Sequence, residues 1–142
     1  MNKVHFSSKL HDWTTPKDFF EKYNNKYNFV IDAACESHNC LCDNGYCIDN
    51  GIDGLKQEWS KEQGYIWCNP PYGRAIKMWI EKAHNEYKKG AKIVLLIPAR
   101  TDTVAWHKFI FGTAKVDFIK GRLKFGGSKT NAPFPSAIVI FD

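Results

Sequence analysis

A chain of 142 residues with 44% hydrophobic and 25% charged residues has the size and composition of one soluble globular domain. Its formal net charge of +5, from 20 Lys and Arg against 15 Asp and Glu, permits a polyanionic partner without demanding one. The longest apolar run, Ile93 to Ile97, is far too short to span a bilayer, which excludes a membrane-spanning helix.

The opening residues, Met1-Asn2-Lys3-Val4-His5, lead into no apolar core of the kind a secretory signal carries. An intracellular protein is therefore expected, with residues 1–12 as a mobile arm. In "TTPKDFFEKY" Thr15 is placed as an N-cap, Pro16 as the first helical residue and Asp18 as the partner that completes the cap. "YNFVIDAA" reads as a buried strand with Asp32 at its carboxyl end.

Five cysteines follow, four of them within "ACESHNCLCDNGYC": Cys35, Cys40, Cys42 and Cys47, with Cys68 further on. An odd number in a reducing compartment implies free thiols. The spacing Cys-x4-Cys-x-Cys-x4-Cys is not the paired CxxC of a zinc knuckle, so no metal is expected. "YCID" suggests a second short strand, and "NGIDGL" a turn.

"YIWC" is the next strand, and it ends in a corner, Asn69-Pro70-Pro71-Tyr72. Ile76, Trp79, Ile80, Ala83 and Tyr87 then recur at helical spacing until Gly90. "KIVLLIP" is almost continuously apolar, as parallel strands are. "TDTVAWHKFIFG" reads as a helix capped by Thr101 or Asp102 and stopped by Gly112. "KVDFI" and "SAIVIF" are two last strands around the loop "KGRLKFGGSKTNAPFP". Strands alternating with helices, then two closing strands, predict a largely parallel α/β sheet with an antiparallel edge strand. In such a sheet ligands bind beyond the carboxyl ends of the strands, so Asp32, Asn69 and Pro98 should share one rim.

The proline corner carries the chemistry. Two prolines fix two φ angles and remove two donors, leaving the Asn69 side-chain oxygen and the Pro70 carbonyl as rigid acceptors. Converging acceptors suit a primary amino group, and Tyr72 offers a face for a planar ring. Arg74, Arg100, Lys120, Arg122, Lys124 and Lys129 lie in or beside rim loops, interleaved with Phe125 and Phe134. That mixture suits phosphate contacts plus an aromatic that stacks on a displaced base; the alternative is a solvated basic loop.

Asn69-Pro70-Pro71-Tyr72 resembles the [D/N/S]-P-P-[Y/F/W] motif of amino-group methyltransferases that use S-adenosylmethionine. With "DWTTP", "WCNPPYGR", "IPARTDT", "KGRLKFGG" and "APFPSAIVIF" in that order, nearly the whole chain resembles the short phage and prophage DNA N6-adenine methyltransferases of the Dam-like group. The resemblance implies a single methyltransferase domain over 1–142 with a compact Rossmann-like class I fold. Only 36 residues lie between Asp32 and Asn69, which leaves no room for one strand–helix unit of the full fold. It implies Asn69, Pro70, Pro71 and Tyr72 as the catalytic corner, acting on adenine N6. S-adenosylmethionine would be held near Thr15, Pro16, Asp32 and Asp53. DNA is the implied partner, in the cytoplasm of a bacterial or phage-infected cell, with a homo-oligomer left open. Structural alternatives stand beside the cofactor residues: Thr15-Pro16 as a plain helix start, Asp32 as a cap and Asp53 as a turn residue. The competing functions are methylation of a protein glutamine or an RNA base, and a silent DNA-binding module.

Overall fold

The computed structural model describes residues 13–127 and 130–142; the expected arm at 1–12 and Lys129 lie outside the described residues. Helix α1 (Lys17–Tyr27) starts after Pro16, whose extended φ and ψ of −61° and 134° put it at the N-cap. No side chain caps this helix, so the cap expected of Thr15 is not made. Phe20 and Tyr23 form its buried face, and Asn28 ends it in the left-handed region at φ 53°.

Six strands form one sheet: β1 (Ile31–Cys35), β2 (Gly45–Cys47), β3 (Tyr65–Cys68), β4 (Lys92–Pro98), β5 (Lys115–Phe118) and β6 (Ser136–Phe141), in the order β2-β1-β3-β4-β6-β5. The first four are mutually parallel. β6 is antiparallel to both of its neighbours. The antiparallel strand expected at the edge therefore sits one place in, and β5 is the edge. The reason is burial. All six residues of "SAIVIF" are buried, whereas most of "KVDF" is exposed, so the more apolar strand takes the inner position.

The sheet separates two apolar layers. Ile93, Leu95 and Ile97 of β4 face one way with Ile66 and Cys68, against Trp79, Ile80 and Ala83 of α2 (Ile76–Lys88). Val94 and Leu96 face the other way with Trp67, against Phe20 and Tyr23 of α1 and against Phe125 and Phe134. Period-two alternation thus holds within a strand that is apolar throughout.

Two expectations are corrected in detail. Asp32 is the second residue of β1, not its end, because the strand runs on to Cys35 to pair with β2. The helix expected from Thr101 begins only at Val104 and winds as a π-helix over Trp106–Ile110. Thr103 Oγ1 closes the preceding turn by donating to the Arg100 carbonyl at 2.8 Å. Between β1 and β3 there are β2 and three 3-10 turns (Ile48–Asn50, Gly54–Lys56, Trp59–Lys61) and, among the described residues, no α-helix. The chain leaves β1 to make β2 on one side and then β3 on the other. This divergence opens a crevice at the carboxyl ends of β1 and β3. Among the described residues, no helix is long and apolar enough to cross a membrane.

Candidate active site

A cleft occupies that crevice. It is lined by residues 13–15 ahead of α1, by the end of β1 and the segment after it, by Asp53-Gly54, and by the corner Asn69 to Tyr72.

Asn69 is the best-defined group in it. The side-chain Nδ2 donates to the Trp13 carbonyl at 2.7 Å and to Thr15 Oγ1 at 3.1 Å. With both amide hydrogens engaged, Oδ1 is left buried and without a partner. A buried carbonyl oxygen left unpaired costs about 1–3 kcal/mol, and folded chains seldom keep one without a use for it. Asn69 is thus set up as an acceptor awaiting a donor.

Tyr72 is fixed at the far end of its ring, where the phenol donates to the Leu96 carbonyl at 3.1 Å. Burial drives that phenol well above its ordinary pKa, so it stays protonated. Trp13 lies near-parallel to the Tyr72 ring, 6.3 Å between centroids and 26° between planes. Phe125 and Phe134 meet Tyr72 edge-on at 6.0 and 5.7 Å. The sequence leads one to expect one of these phenylalanines to stack on a displaced base, but in the fold neither ring lies open. Phe125 is 1% exposed and Phe134 6%, so both are walls of the aromatic box, packed by the sheet face beneath.

Asp32 is buried, accepting from the Ala34 and Leu41 backbone N–H groups at 3.2 Å each. Burial lifts its carboxyl to about 7, against the pull of those two N–H groups. Asp53 lines the same cleft and also caps a 3-10 turn, its Oδ1 accepting from Leu55 N at 3.0 Å. Gly54 permits that turn to lie against β1: a Cβ there would come within 2.2 Å of the Ala33 carbonyl and 2.8 Å of the Trp79 ring. Trp59 donates its indole N–H to the Gly54 carbonyl at 2.8 Å and holds the turn from behind.

The fold therefore brings Thr15, Asp32, Asp53 and the four corner residues into one cleft; Pro16 starts α1 just outside its lining. Pro98 lies on the same rim but in a second groove, with Arg74, Lys77 and Arg100. Arg74 and Arg100 are exposed there, and Arg100 stands 5.7 Å over the Phe134 ring. Lys120 and Lys124 are exposed on the late loop, and Arg122 Nη1 reaches the Ala132 carbonyl at 3.4 Å. Sequence reasoning passed over Trp13, Tyr46, Ile48 and Trp67, which also line the cleft. Trp13 was legible inside "DWTTP". Trp67 was not, because its unpartnered, buried Nε1 is a property of packing alone.

Among known families, the family model described as DNA N-6-adenine-methyltransferase (Dam) matches residues 4–140. No curated protein matches the chain.

Proposed function

The chain belongs to the DNA N-6-adenine-methyltransferase (Dam) family, and from that premise we propose that it transfers a methyl group from S-adenosylmethionine to N6 of adenine in DNA. The observation that carries the reading is the buried, partnerless Oδ1 of Asn69 beside a tethered aromatic ring. Asn69 Oδ1 and the Pro70 carbonyl would each accept one N6 hydrogen. This draws the nitrogen toward tetrahedral geometry and frees its lone pair. Tyr72 would hold the adenine ring flat, and its phenol, bound to Leu96, takes no part in proton transfer.

The cleft fits the cofactor that the family uses. Asp32 and Asp53 line the cleft together with the corner and offer it carboxyl groups, and Ile48 adds an apolar wall. Bound there, S-adenosylmethionine would supply an electrophilic methyl on a sulfonium. Asn69 Oδ1 and the Pro70 carbonyl would hold the N6 lone pair toward that methyl, and with the N6 proton leaving to solvent afterwards no strong base would be required of the chain. Adenine within a duplex must first be extruded into the box. The strand order, parallel through β4 with β6 returning beside it, supports the compact Rossmann-like reading, with a loop and 3-10 turns where a strand–helix unit would stand.

A primary amide could also satisfy Asn69, but the exposed Arg74, Lys77 and Arg100 beside the corner favour a phosphate-bearing substrate. The deciding experiment is mass-spectrometric assay of N6-methyladenine in DNA incubated with the protein and cofactor. Wild type should form it, and Asn69→Ala should lose at least about a hundredfold in turnover while folding normally. Product formed equally by Asn69→Ala would remove Asn69 from the reaction.

A further inference from the structure

Three cysteines that sequence spacing set aside as ordinary thiols converge in the fold. Cys35 ends β1, Cys47 ends β2, and the two are register partners in parallel strands. Their Sγ atoms lie 3.6 Å apart. The segment between them, 36–44, folds back and brings Cys40 to the same point, so that all three sulfurs lie within 4.8 Å of one another. We propose that Cys35, Cys40 and Cys47 bind one zinc-class metal ion through their thiolates.

The geometry argues for it in three ways. Zinc–sulfur bonds of ~2.3 Å set the sulfur–sulfur edge of a tetrahedral site at about 3.8 Å, close to the Cys35–Cys47 separation and within reach for Cys40. A disulfide needs ~2.05 Å, so Cys35 and Cys47 are two thiols side by side and not a bonded pair. Gly45 makes the space: a Cβ there would stand 2.4 Å from Cys40 Sγ and 2.6 Å from Cys35 Sγ, so only glycine lets three sulfurs meet over that backbone. The remaining cysteines are elsewhere. Cys42 packs with the layer on the α1 side, and Cys68 is buried in the opposite layer.

Three thiolates and one dication leave a single negative charge and a fourth position for water. Binding releases the thiol protons, so affinity rises with pH. The ion ties the ends of β1 and β2 to the segment that carries Glu36, Asn39 and Leu41 into the cleft. It therefore fixes one wall of the cleft whatever the cleft binds.

The test is anaerobic titration of the reduced, full-length protein with cobalt(II), followed by displacement with zinc. The expected result is a thiolate-to-cobalt charge-transfer band with tetrahedral ligand-field bands, saturating at one equivalent and abolished by zinc. Cys35→Ser, Cys40→Ser and Cys47→Ser should each lose it, and Cys42→Ser should keep it. Because a serine variant can fail to fold, the wild-type protein is also alkylated with and without zinc. Zinc should protect Cys35, Cys40 and Cys47 and leave Cys42 reacting at its unprotected rate. Absence of a thiolate band at equimolar cobalt, its survival in the three variants, or alkylation of all three cysteines indifferent to zinc would overturn the site.

Discussion

To act as proposed, Asn69 needs its amide the right way round, and two groups outside the proline corner set that. The Trp13 carbonyl can only accept, which forces Nδ2 toward it, and Thr15 Oγ1 takes the second hydrogen. Thr15, expected as a helix cap and as a cofactor contact, is thus placed to orient Asn69. Thr15→Val keeps the shape and removes the acceptor; the amide then loses one of its two anchors, worth about 1–1.5 kcal/mol, or roughly tenfold in kcat. KM for the cofactor should hold, and Thr15→Ser should restore the rate. A raised cofactor KM with unchanged kcat would return Thr15 to cofactor binding. Asp32 carries the second prediction at this scale. Its carboxyl titrates near 3.8 when unfolded and at about 7 in the fold. Between those values the native protein keeps a proton that the unfolded chain has released, so stability falls as pH rises from about 4 to about 7 and is level above. Asp32→Asn removes this slope. Urea melts at pH 5 and pH 8 should show the variant gaining on wild type by about 2–3 kcal/mol, at 1.36 kcal/mol per unit. A constant difference between the two would mean that Asp32 titrates normally.

At the scale of elements, the cleft depends on a turn with no regular structure to stiffen it. The 3-10 turn Gly54–Lys56 is pinned by Asp53 at its start and by the Trp59 indole on the Gly54 carbonyl. Trp59 in turn sits beneath α2, where it meets Trp79 at 6.2 Å. Buried Glu86 of α2 accepts from Ser60 N at 2.9 Å and from Lys82 Nζ at 3.0 Å. Burial works to raise the Glu86 carboxyl, but the Lys82 bond and the Ser60 N–H outweigh it and hold it below the usual range. The chain of contacts from α2 to Asp53 passes through Gly54, which cannot carry a side chain. Gly54→Ala would drive a methyl into the rigid Ala33 carbonyl, costing about 1–3 kcal/mol in a urea melt and displacing Asp53 from the cleft. A variant as stable as wild type would show that the turn stands off from β1 in solution.

At the scale of the whole molecule, one rim gathers the charges. β5 runs the same way as β4, since both are antiparallel to β6, so the loop after β5 leaves from the rim that carries Asn69. Arg74 and Arg100 lie in the groove beside the corner, and Arg122 partly spends its donors on its own loop. The groove is therefore the better place for a phosphate backbone. Arg74→Ala combined with Arg100→Ala should weaken DNA binding across sequences and lower the salt slope by nearly two, at ~0.9 per phosphate contact. Arg122→Ala should lower it by less. An unchanged slope in the double variant would move the DNA to the late loop.

The sequence by itself determined the elements and the corner. Apolar period, proline and glycine act over a few residues, so α2, β3, β4, β6 and the rigid acceptors of Asn69-Pro70-Pro71-Tyr72 were legible from neighbours in the chain. Tertiary structure alone decided what lies between elements. It placed β6 inside the sheet, turned Phe125 and Phe134 into buried walls, gave Thr15 to Asn69 across 54 positions of chain, and drew Cys35, Cys40 and Cys47 together. Each of these depends on which surfaces are buried against which, and burial is a property of the packed molecule that local spacing does not encode.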